Sequence, residues 1–479
     1  MKKRTKIVCT IGPSSEDKKV LESMVHAGMD VARLNFSHGK YRHHKMLIKN
    51  IRIAAARAGH AVAILQDLQG PRIRTGNIVK EGVELSVNDK VALYVEKETT
   101  APPKVKADKF LPIQYQSLAK EIKIGATIFI SDGIIELKVT KVDKKQELVF
   151  ARVIRGGTVL ALRGMNLPGT KISAPSITAK DKEDLKFGLC QGMDWVALSF
   201  VREASDVSAL KRLIQSYHPK SLVKVMAKIE RQEAIKNFDK ILAVVDGIMV
   251  ARGDLGIELA PAQVPILQKE LVAKCLAAAK PVIVATQMLE SMMEKPRPTR
   301  AEVSDVANAV IDHADAVMLS GETATGKYPV EVVEMMASII SKTEKSPYDD
   351  LAIQSPSLAK STLFAVAESI KVLANKLKVK VLVVSDSTGE AVRAISSFRP
   401  EVDIIVLTRS KTTQQQLGLN WGVRAELKDL KAREDKLSEQ MTGWIYAHKK
   451  RLGGSRAIIV SAVRRHGICE INFVKVVEF

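Results

Sequence analysis

The chain of 479 residues is poor in cysteine and in aromatic side chains. Its four cysteines lie far apart and form no CxxC pair, which argues against a disulfide framework and against a structural zinc site. Aromatic residues make up 4% of the chain, too few for the stacking platforms of a single-strand nucleic-acid binder. No apolar run reaches about 18 residues and no signal peptide is recognisable, so we expect a cytoplasmic protein that spans no membrane.

Charge is abundant and unbalanced, with 74 basic against 53 acidic side chains and a formal net charge of +21. Such an excess is compatible with a nucleic-acid binder, a membrane-surface protein or an enzyme for highly anionic small molecules. Residues 346–479 hold 21 basic and 14 acidic side chains, so the excess is spread along the chain. The length suits two or three domains, and a hydrophobic content of 46% excludes wholesale disorder.

Eight short apolar runs alternate with helix-like segments. Because these runs are apolar on both faces, they are typical of a buried parallel sheet. They occupy residues 5–10, 29–34, 61–67, 194–200, 223–229, 245–251, 281–286 and 315–320. Eight such strands with helical connections predict a (β/α)8 barrel, the TIM-barrel fold, formed by residues 1–70 and 169–345.

The third and fourth runs are separated by residues 71–168, where alternating segments such as VELSV and ELVFARVI predict antiparallel strands. We interpret this insertion as a small β-barrel or sandwich. Insertions into a βα loop lie at the catalytic face of such a barrel, so we expect this one to act as a lid. In residues 346–479 the pattern of helix and apolar strands restarts, which predicts a C-terminal α/β domain.

Polar and charged side chains stand just past the carboxyl ends of the predicted barrel strands. Lys228 and Glu230 are two residues apart, so they point to the same face of a strand. A lysine beside a carboxylate at the mouth of a cavity can stabilise negative charge that develops on a substrate oxygen. Asp254 follows the next strand, and Glu230 and Asp254 together form a plausible magnesium site, because Mg²⁺ needs only one or two protein carboxylates.

Six motifs, taken together, resemble those of the pyruvate kinase family. They are RLNFSHG (33–39), LQDLQGPRIRTG (65–76), MAKIERQEA (226–234), ARGDLGIE (251–258), ATQMLESM (285–292) and LSGETATGKYP (319–329). They occur in the family's order, and the resemblance covers essentially the whole chain. It implies phosphoryl transfer from phosphoenolpyruvate to ADP, which gives pyruvate and ATP at the end of glycolysis.

The resemblance also implies a role for each matching residue. Lys228 would stabilise the transferring phosphoryl group and the enolate, and Arg33 would bind the substrate phosphate. Glu230 and Asp254 would hold Mg²⁺ or Mn²⁺, and Thr286 would lie near the face at which enolpyruvate is protonated. The remaining substrate contacts fall on Ser199, Phe200 and Gly253, and the nucleotide contacts on Asn35, His38, Arg74 and Arg163.

A potassium site of the family corresponds to Asn35, Ser37 and Asp67. Relatives that require potassium carry glutamate at the position of Arg72, whereas potassium-independent relatives carry lysine there. Because a fixed guanidinium can stand in for a monovalent cation near a phosphate, we expect K⁺ not to be required.

In the last domain, Ser385, Ser387, Thr388 and Gly389 resemble the loop that binds phosphorylated sugar effectors. A hydroxyl-rich loop at a helix N-terminus suits a phosphate group. Asp386 and Glu390 add negative charge to this loop, which argues against fructose 1,6-bisphosphate. A sugar monophosphate, AMP or no activator remains open, and the resemblance further implies a homotetramer.

Two other functions compete with this interpretation. In a barrel lyase, Lys228 would form a Schiff base, but that lysine would need a lowered pKa, and the neighbouring Glu230 acts in the opposite direction. A basic nucleic-acid-binding protein is favoured by the net charge alone.

Overall fold

The computed structural model describes residues 3–96, 102–350, 361–430 and 434–479. Parts of the predicted lid (97–101) and of the predicted last domain (351–360 and 431–433) lie outside the described residues. Within the described ranges, no helix has both the length and the apolar character that crossing a bilayer requires.

The first part of the barrel consists of three buried strands and two helices. The strands are β1 (Lys6–Thr10), β2 (Val31–Asn35) and β3 (Ala63–Asp67), and the helices are α1 (Lys18–Ala27) and α2 (Tyr41–Arg57). Helix α1 begins after Asp17, whose carboxylate accepts the backbone N–H groups of Lys19 and Val20. It ends at Gly28, whose φ of 124° is readily adopted only by glycine.

The insertion follows β3 and contains eight strands and one short helix. These are β4 (Val83–Leu85), β5 (Lys90–Val95), β6 (Lys109–Ile113), α3 (Leu118–Glu121), β7 (Thr127–Ile130), β8 (Ile135–Asp143), β9 (Leu148–Arg155), β10 (Gly157–Val159) and β11 (Met165–Asn166). A six-stranded sheet has the order β11-β7-β8-β9-β5-β6, and β10 pairs with β4. Both sheets enclose one hydrophobic core. The expectation of antiparallel pairing is wrong for β5 and β6, which run parallel.

The second part of the barrel alternates strands and helices. In chain order they are α4 (Ala179–Cys190), β12 (Trp195–Leu198), α5 (Ala204–Tyr217), β13 (Lys224–Ile229), α6 (Gln232–Lys236), α7 (Phe238–Val244), β14 (Gly247–Ala251), α8 (Arg252–Glu258), α9 (Val264–Ala277), β15 (Val282–Ala285), α10 (Arg300–Ile311), β16 (Ala316–Leu319), α11 (Gly321–Ala324) and α12 (Pro329–Thr343). Eight parallel strands close in the order β1-β16-β15-β14-β13-β12-β3-β2. The predicted (β/α)8 barrel is therefore confirmed.

The C-terminal part is an α/β domain, as predicted. Its elements are α13 (Thr362–Lys376), β17 (Val381–Ser385), α14 (Glu390–Ser397), β18 (Asp403–Thr408), α15 (Lys411–Gln416), β19 (Val423–Leu427), α16 (Glu434–Leu452), β20 (Arg456–Arg465) and β21 (Ile468–Glu478). The sheet order is β19-β18-β17-β20-β21, and only the pairing of β20 with β21 is antiparallel among these described strands. The sequence pattern missed β19, because VRAEL is mostly half-exposed or exposed.

The C-terminal domain covers the amino ends of the barrel strands, which we call the barrel floor. Leu419 belongs to the same buried cluster as the side chains inside the barrel. The Gln416 amide donates to the carbonyl of Leu222 at 2.6 Å, and buried Asp315 accepts the N–H of Trp421 at 3.1 Å. Because the floor is covered in this way, the carboxyl ends of the strands are the open end of the barrel, where TIM-barrel enzymes have their sites.

Candidate active site

Lys228 lies at the centre of a buried cluster at the open end of the barrel. Its ammonium is 2.8 Å from Glu230 Oε1 and 3.4 Å from Asp67 Oδ1, and it donates to Ser199 Oγ at 2.9 Å. Burial would lower the pKa of Lys228, but Asp67 and Glu230 outweigh this effect and raise it. The side chain therefore remains an ammonium, which opposes the Schiff-base alternative.

Asp67 joins two cations that come from different strands. Arg33 on β2 donates from Nε to Asp67 Oδ2 at 2.7 Å, and from Nη1 to Thr10 Oγ1 at 2.8 Å. Burial would raise the pKa of Asp67, whose exposure is 1%, but Lys228 and Arg33 hold it below its ordinary value. The ionised carboxylate thus fixes the guanidinium and the ammonium beside the same space.

Two carboxylates face each other across β13 and α8. Glu230 Oε2 accepts the N–H of Phe200 at 2.6 Å, and Asp254 lies in the first turn of α8. Burial, followed by the charge of Glu230, raises the pKa of Asp254 to about 6. A divalent cation between the two carboxylates would relieve this repulsion.

The donor set at this place fits Mg²⁺. Within the described ranges, no group of three or more His, Cys, Asp or Glu side chains is arranged to hold a metal. Mg²⁺ does not need such a cage, since it keeps several waters and is commonly bound by one or two carboxylates together with substrate phosphate. Glu230 and Asp254 supply these two carboxylates.

Thr286 has an unusual backbone conformation beside the same carboxylates. Its φ is 70°, which is strained for a β-branched residue, and Arg252 donates to its carbonyl at 2.8 Å. The hydroxyl accepts the N–H of Gly253 at 2.7 Å and donates to the carbonyl of Ala285 at 2.6 Å. This backbone conformation places the Thr286 hydroxyl beside the N–H of Gly253, in the first turn of α8.

Most of the predicted site residues line one small cavity of 110 Å³, which we call the inner cavity. Among its lining residues are Arg33, Asn35, Ser37, Asp67, Arg72, Ser199, Phe200, Lys228, Glu230, Asp254 and Thr286. Asn35 Oδ1 accepts the N–H of Ser37 at 3.1 Å. The structure therefore brings the predicted substrate, divalent-metal and potassium residues together.

A second cavity of 500 Å³, the outer cleft, lies between the barrel and the lid. His38, Arg74 and Arg163 line it, whereas Asn35, the fourth predicted nucleotide residue, lines the inner cavity. Burial lowers the pKa of His38, and the positive charges of Arg74 and Arg72 lower it further. The outer cleft is consequently rich in fixed positive charge that suits an anionic ligand.

Arg72 lines both cavities, so the inner cavity and the outer cleft adjoin. Its Nη2 is 2.8 Å from Oδ1 of Asp132, a lid residue in the turn between β7 and β8. Sequence reasoning missed Asp132, because a single aspartate in a turn carries no signal for function. Asp132 holds the guanidinium from the lid side.

The lid is attached through two chain segments that are hydrogen-bonded to each other. Thr75 N–H donates to the carbonyl of Arg163 at 2.9 Å, and Arg163 N–H donates to Thr75 Oγ1 at 2.8 Å. Met165 N–H donates to the carbonyl of Ile73 at 2.9 Å. We call this pair of segments the lid hinge.

The predicted effector loop lies elsewhere, between β17 and α14 of the C-terminal domain. Its helix N-terminus is capped internally, because Asp386 accepts the N–H groups of Thr388 at 2.7 Å and Gly389 at 2.8 Å. The other carboxylate oxygen accepts the N–H groups of Ala391 at 3.0 Å and Val392 at 3.3 Å. A buried carboxylate thus occupies the donors that a phosphate would use.

Comparison with known proteins agrees with this geometry. The family model described as "Pyruvate kinase, barrel domain" matches residues 2–333, and "Pyruvate kinase, alpha/beta domain" matches residues 364–477. The chain is 44% identical over 425 residues to a pyruvate kinase of Geobacillus stearothermophilus, covering 88% of this chain and 71% of that protein. It is 40% identical over 476 residues to a pyruvate kinase of Staphylococcus aureus strain MRSA252, covering 99% and 80%.

The barrel and its charged mouth define a TIM-barrel enzyme of the phosphotransferase class. More narrowly, the chain belongs to the pyruvate kinase family.

Glu258, at the end of α8, allows a prediction on pH and stability. Its exposure is 8%, and burial raises its pKa to about 7 from 4.5. As the pH rises, Glu258 ionises in the unfolded chain near pH 4.5 but in the folded chain only near pH 7. The contribution of neutral Glu258 to folding stability is therefore complete below pH 4.5 and is lost as the pH rises to 7. We expect Glu258→Gln to raise the melting temperature relative to wild type at pH 8, and not at pH 4.5.

The matched control is Glu270→Gln, the same substitution at an exposed position of α9. Thermal unfolding followed by circular dichroism across this pH range gives the difference. An equal gain from both variants, or a gain that does not change with pH, would contradict the expectation.

Proposed function

We propose that the protein transfers the phosphoryl group of phosphoenolpyruvate to ADP and forms pyruvate and ATP. The observation that carries this proposal is the convergence of Arg33, Lys228, Glu230 and Asp254 on the inner cavity, which adjoins a cleft lined by arginines. Phosphoryl transfer requires mainly positioning and neutralisation of the charge on the phosphate oxygens. The inner cavity has side chains that can position the substrate and side chains that can neutralise its phosphate charge.

Each side chain has a part in this reaction. Arg33 binds the phosphate of phosphoenolpyruvate, and Lys228 stabilises the transferring phosphoryl group and the enolate oxygen that remains when the P–O bond breaks. Ser199, Phe200 and Gly253 form the wall around the substrate. A Mg²⁺ or Mn²⁺ ion on Glu230 and Asp254 would supply further positive charge at the phosphate oxygens.

The reaction ends with proton transfer to carbon. Once the phosphoryl group is bonded to the terminal phosphate oxygen of ADP, the enolate carbon takes up a proton and pyruvate forms. Thr286 Oγ1 can hold a water for this step, because the hydroxyl lies at the edge of the inner cavity with its orientation fixed by Gly253 and Ala285. We expect Thr286 to act through that water.

The nucleotide would occupy the outer cleft, on His38, Arg74 and Arg163, with Asn35 beside its terminal phosphate. Closure of the lid, residues 71–168, would exclude the water that otherwise competes for the phosphoryl group. Residues 1–70 and 169–345 would form the catalytic barrel, and residues 346–479 the C-terminal domain.

We further propose that the protein acts in the cytoplasm and assembles as a homotetramer. The edge strand β21 supports a contact between C-terminal domains, since Val474 and Val476 expose 36% and 38% of their surface on a strand with one unpaired edge.

Replacement of Lys228 by methionine tests the assignment. Removing the only ammonium of the inner cavity among the described residues should lower ATP formation from phosphoenolpyruvate and ADP by at least about 10³-fold, the upper part of the range for one electrostatic group. The measurement is a coupled assay of pyruvate and ATP. Lys19→Met, at an exposed position of α1, serves as the control. Equal rates in Lys228→Met and wild type would remove the proposal.

We further propose that activity does not require K⁺. Arg72 lines the inner cavity together with Asn35, Ser37 and Asp67, and Asp132 holds its guanidinium from the opposite side. A positive charge held at this place can stabilise the substrate phosphate as a bound monovalent cation would.

Wild-type activity is therefore expected to remain within about twofold when Na⁺ or a bulky organic cation replaces K⁺, because the guanidinium supplies the charge. Arg72→Glu should lose activity in Na⁺ and recover it in K⁺. Arg72→Lys is the charge-conserving control and should behave as wild type. A wild-type enzyme that stops without K⁺, with Arg72→Glu unchanged, would refute the idea.

For the effector loop we propose either no activator or a ligand with one phosphate, a sugar monophosphate or AMP, held by side-chain hydroxyl groups because Asp386 occupies the helix amides. Ser385, Ser387 and Thr388 offer hydroxyl groups, whereas Asp386 occupies the helix amides and repels a second phosphate. At sub-saturating phosphoenolpyruvate we expect fructose 1,6-bisphosphate to change the rate by less than about twofold. Strong activation by the bisphosphate would contradict this assignment.

A further inference from the structure

A half-buried cavity of 310 Å³ lies between the barrel floor and α14, at the opposite end of the barrel from the inner cavity. Basic side chains from four different segments converge on it. They are Lys211, Lys224, Lys280 and Arg393. The acidic side chains in its wall are Asp246 and Glu390. The described walls therefore carry two more positive than negative charges, in a volume at the lower end of small-ligand pockets.

The carboxylates compensate these cations only in part. Asp246 is shared, since its carboxylate is 2.9 Å from Lys211 Nζ, 3.8 Å from Lys224 Nζ and accepts the N–H of Val225 at 2.9 Å. Lys280 donates instead to the carbonyls of Leu242 and Ala243. The Arg393 guanidinium donates weakly to the carbonyl of Thr388 at 3.4 Å, and the charges of Asp386, Glu390 and Asp246 offset only part of the effect of its burial on its pKa.

Partial burial of these cations leaves room for a further anion. Burial is the main cause that lowers the pKa of Lys224, Lys280 and Arg393. The charge of Asp246 offsets part of this effect in both lysines, and positive neighbours act against it. Buried charges of one sign are usually compensated by a partner of the other sign.

We propose that this cavity binds a phosphate group, either free phosphate or the phosphate of a small phosphomonoester. A phosphate carries a charge of about −1.5 to −2 near neutral pH and offers oxygen acceptors to several ammonium and guanidinium donors at once. Leu363 and Phe364 of α13 form an apolar part of the wall, against which the organic part of an ester fits.

This site is distinct from the substrate site. Lys224 is the first residue of β13, and Asp246 and Lys280 stand just before β14 and β15. The same three strands carry Lys228, Asp254 and Thr286 at or just past their other ends. A phosphate bound at the floor is therefore separated from the inner cavity by the length of the barrel strands.

Calorimetric titration of the full chain with inorganic phosphate tests the proposal. We expect Lys224→Gln and Arg393→Gln each to weaken one phosphate site about tenfold or more, because each removes a charge-assisted hydrogen bond. Lys19→Gln, at an exposed position, should keep the wild-type affinity. Undiminished affinity in both cavity variants would overturn the proposal.

A measurement on the wild type keeps the test valid if a variant does not fold. Phosphate should slow acetylation of Lys224 and Lys280 by acetic anhydride, as followed by mass spectrometry, while Lys19 reacts at an unchanged rate. If phosphate protects neither cavity lysine, the site does not exist.

Phenyl phosphate separates the two sources of the phosphate group. Tighter binding than inorganic phosphate, with the preference lost in Phe364→Ala, indicates a phosphomonoester site. Equal affinity of the two probes indicates a site for free phosphate. If Lys224→Gln weakens the binding of neither probe, both the phosphomonoester site and the free-phosphate site are refuted.

Discussion

The geometry of the active site depends on one buried carboxylate, that of Asp67. It is the shared partner of Arg33 and Lys228, which come from strands on either side of it in the barrel. Without a negative charge between them, these two cations would repel each other in a poorly solvated place. Because β2, β3 and the more distant β13 belong to a closed barrel, the carboxylate also links side chains that are far apart in the sequence. The rigid scaffold and the ionic contacts thus fix the same geometry, which is what positioning a phosphoryl group requires.

The two ends of the barrel differ in how their charge is balanced. At the mouth, the inner cavity has three basic residues, Arg33, Arg72 and Lys228, and three acidic ones, Asp67, Glu230 and Asp254. A divalent ion and an anionic substrate can therefore enter together with little net change in charge. At the floor, four cations meet two carboxylates, and the proposed phosphate would compensate this excess. Part of the large net positive charge of the chain is thus concentrated at the floor cavity, although most of the basic residues line neither of these two cavities.

The barrel and most of the active site were predictable from the sequence for a simple physical reason. Apolar runs on both faces mark parallel strands, and residues just past their carboxyl ends must meet at one rim, as Lys228, Glu230 and Asp254 do. Features that leave no local pattern in the sequence were not predictable. Strand β19 lacks an apolar run, and Asp132 reaches Arg72 only because the turn between β7 and β8 folds back onto the first segment of the lid. In the sequence, Asp386 is an added negative charge in the loop, whereas in the structure it is a buried helix cap, and this difference depends on backbone geometry.

The paired segments of the lid hinge have a consequence for folding. Thr75 and Arg163 are hydrogen-bonded neighbours although more than 80 residues of chain lie between them. Seen from the barrel, the whole insertion therefore begins and ends at nearly one point, as a tight turn does. The entropy cost of closing a loop grows only slowly with its length. The lid has its own hydrophobic core, so the folding of the lid brings the two ends of the insertion together. The barrel can thus carry a large insertion at little cost to the free energy of its own folding.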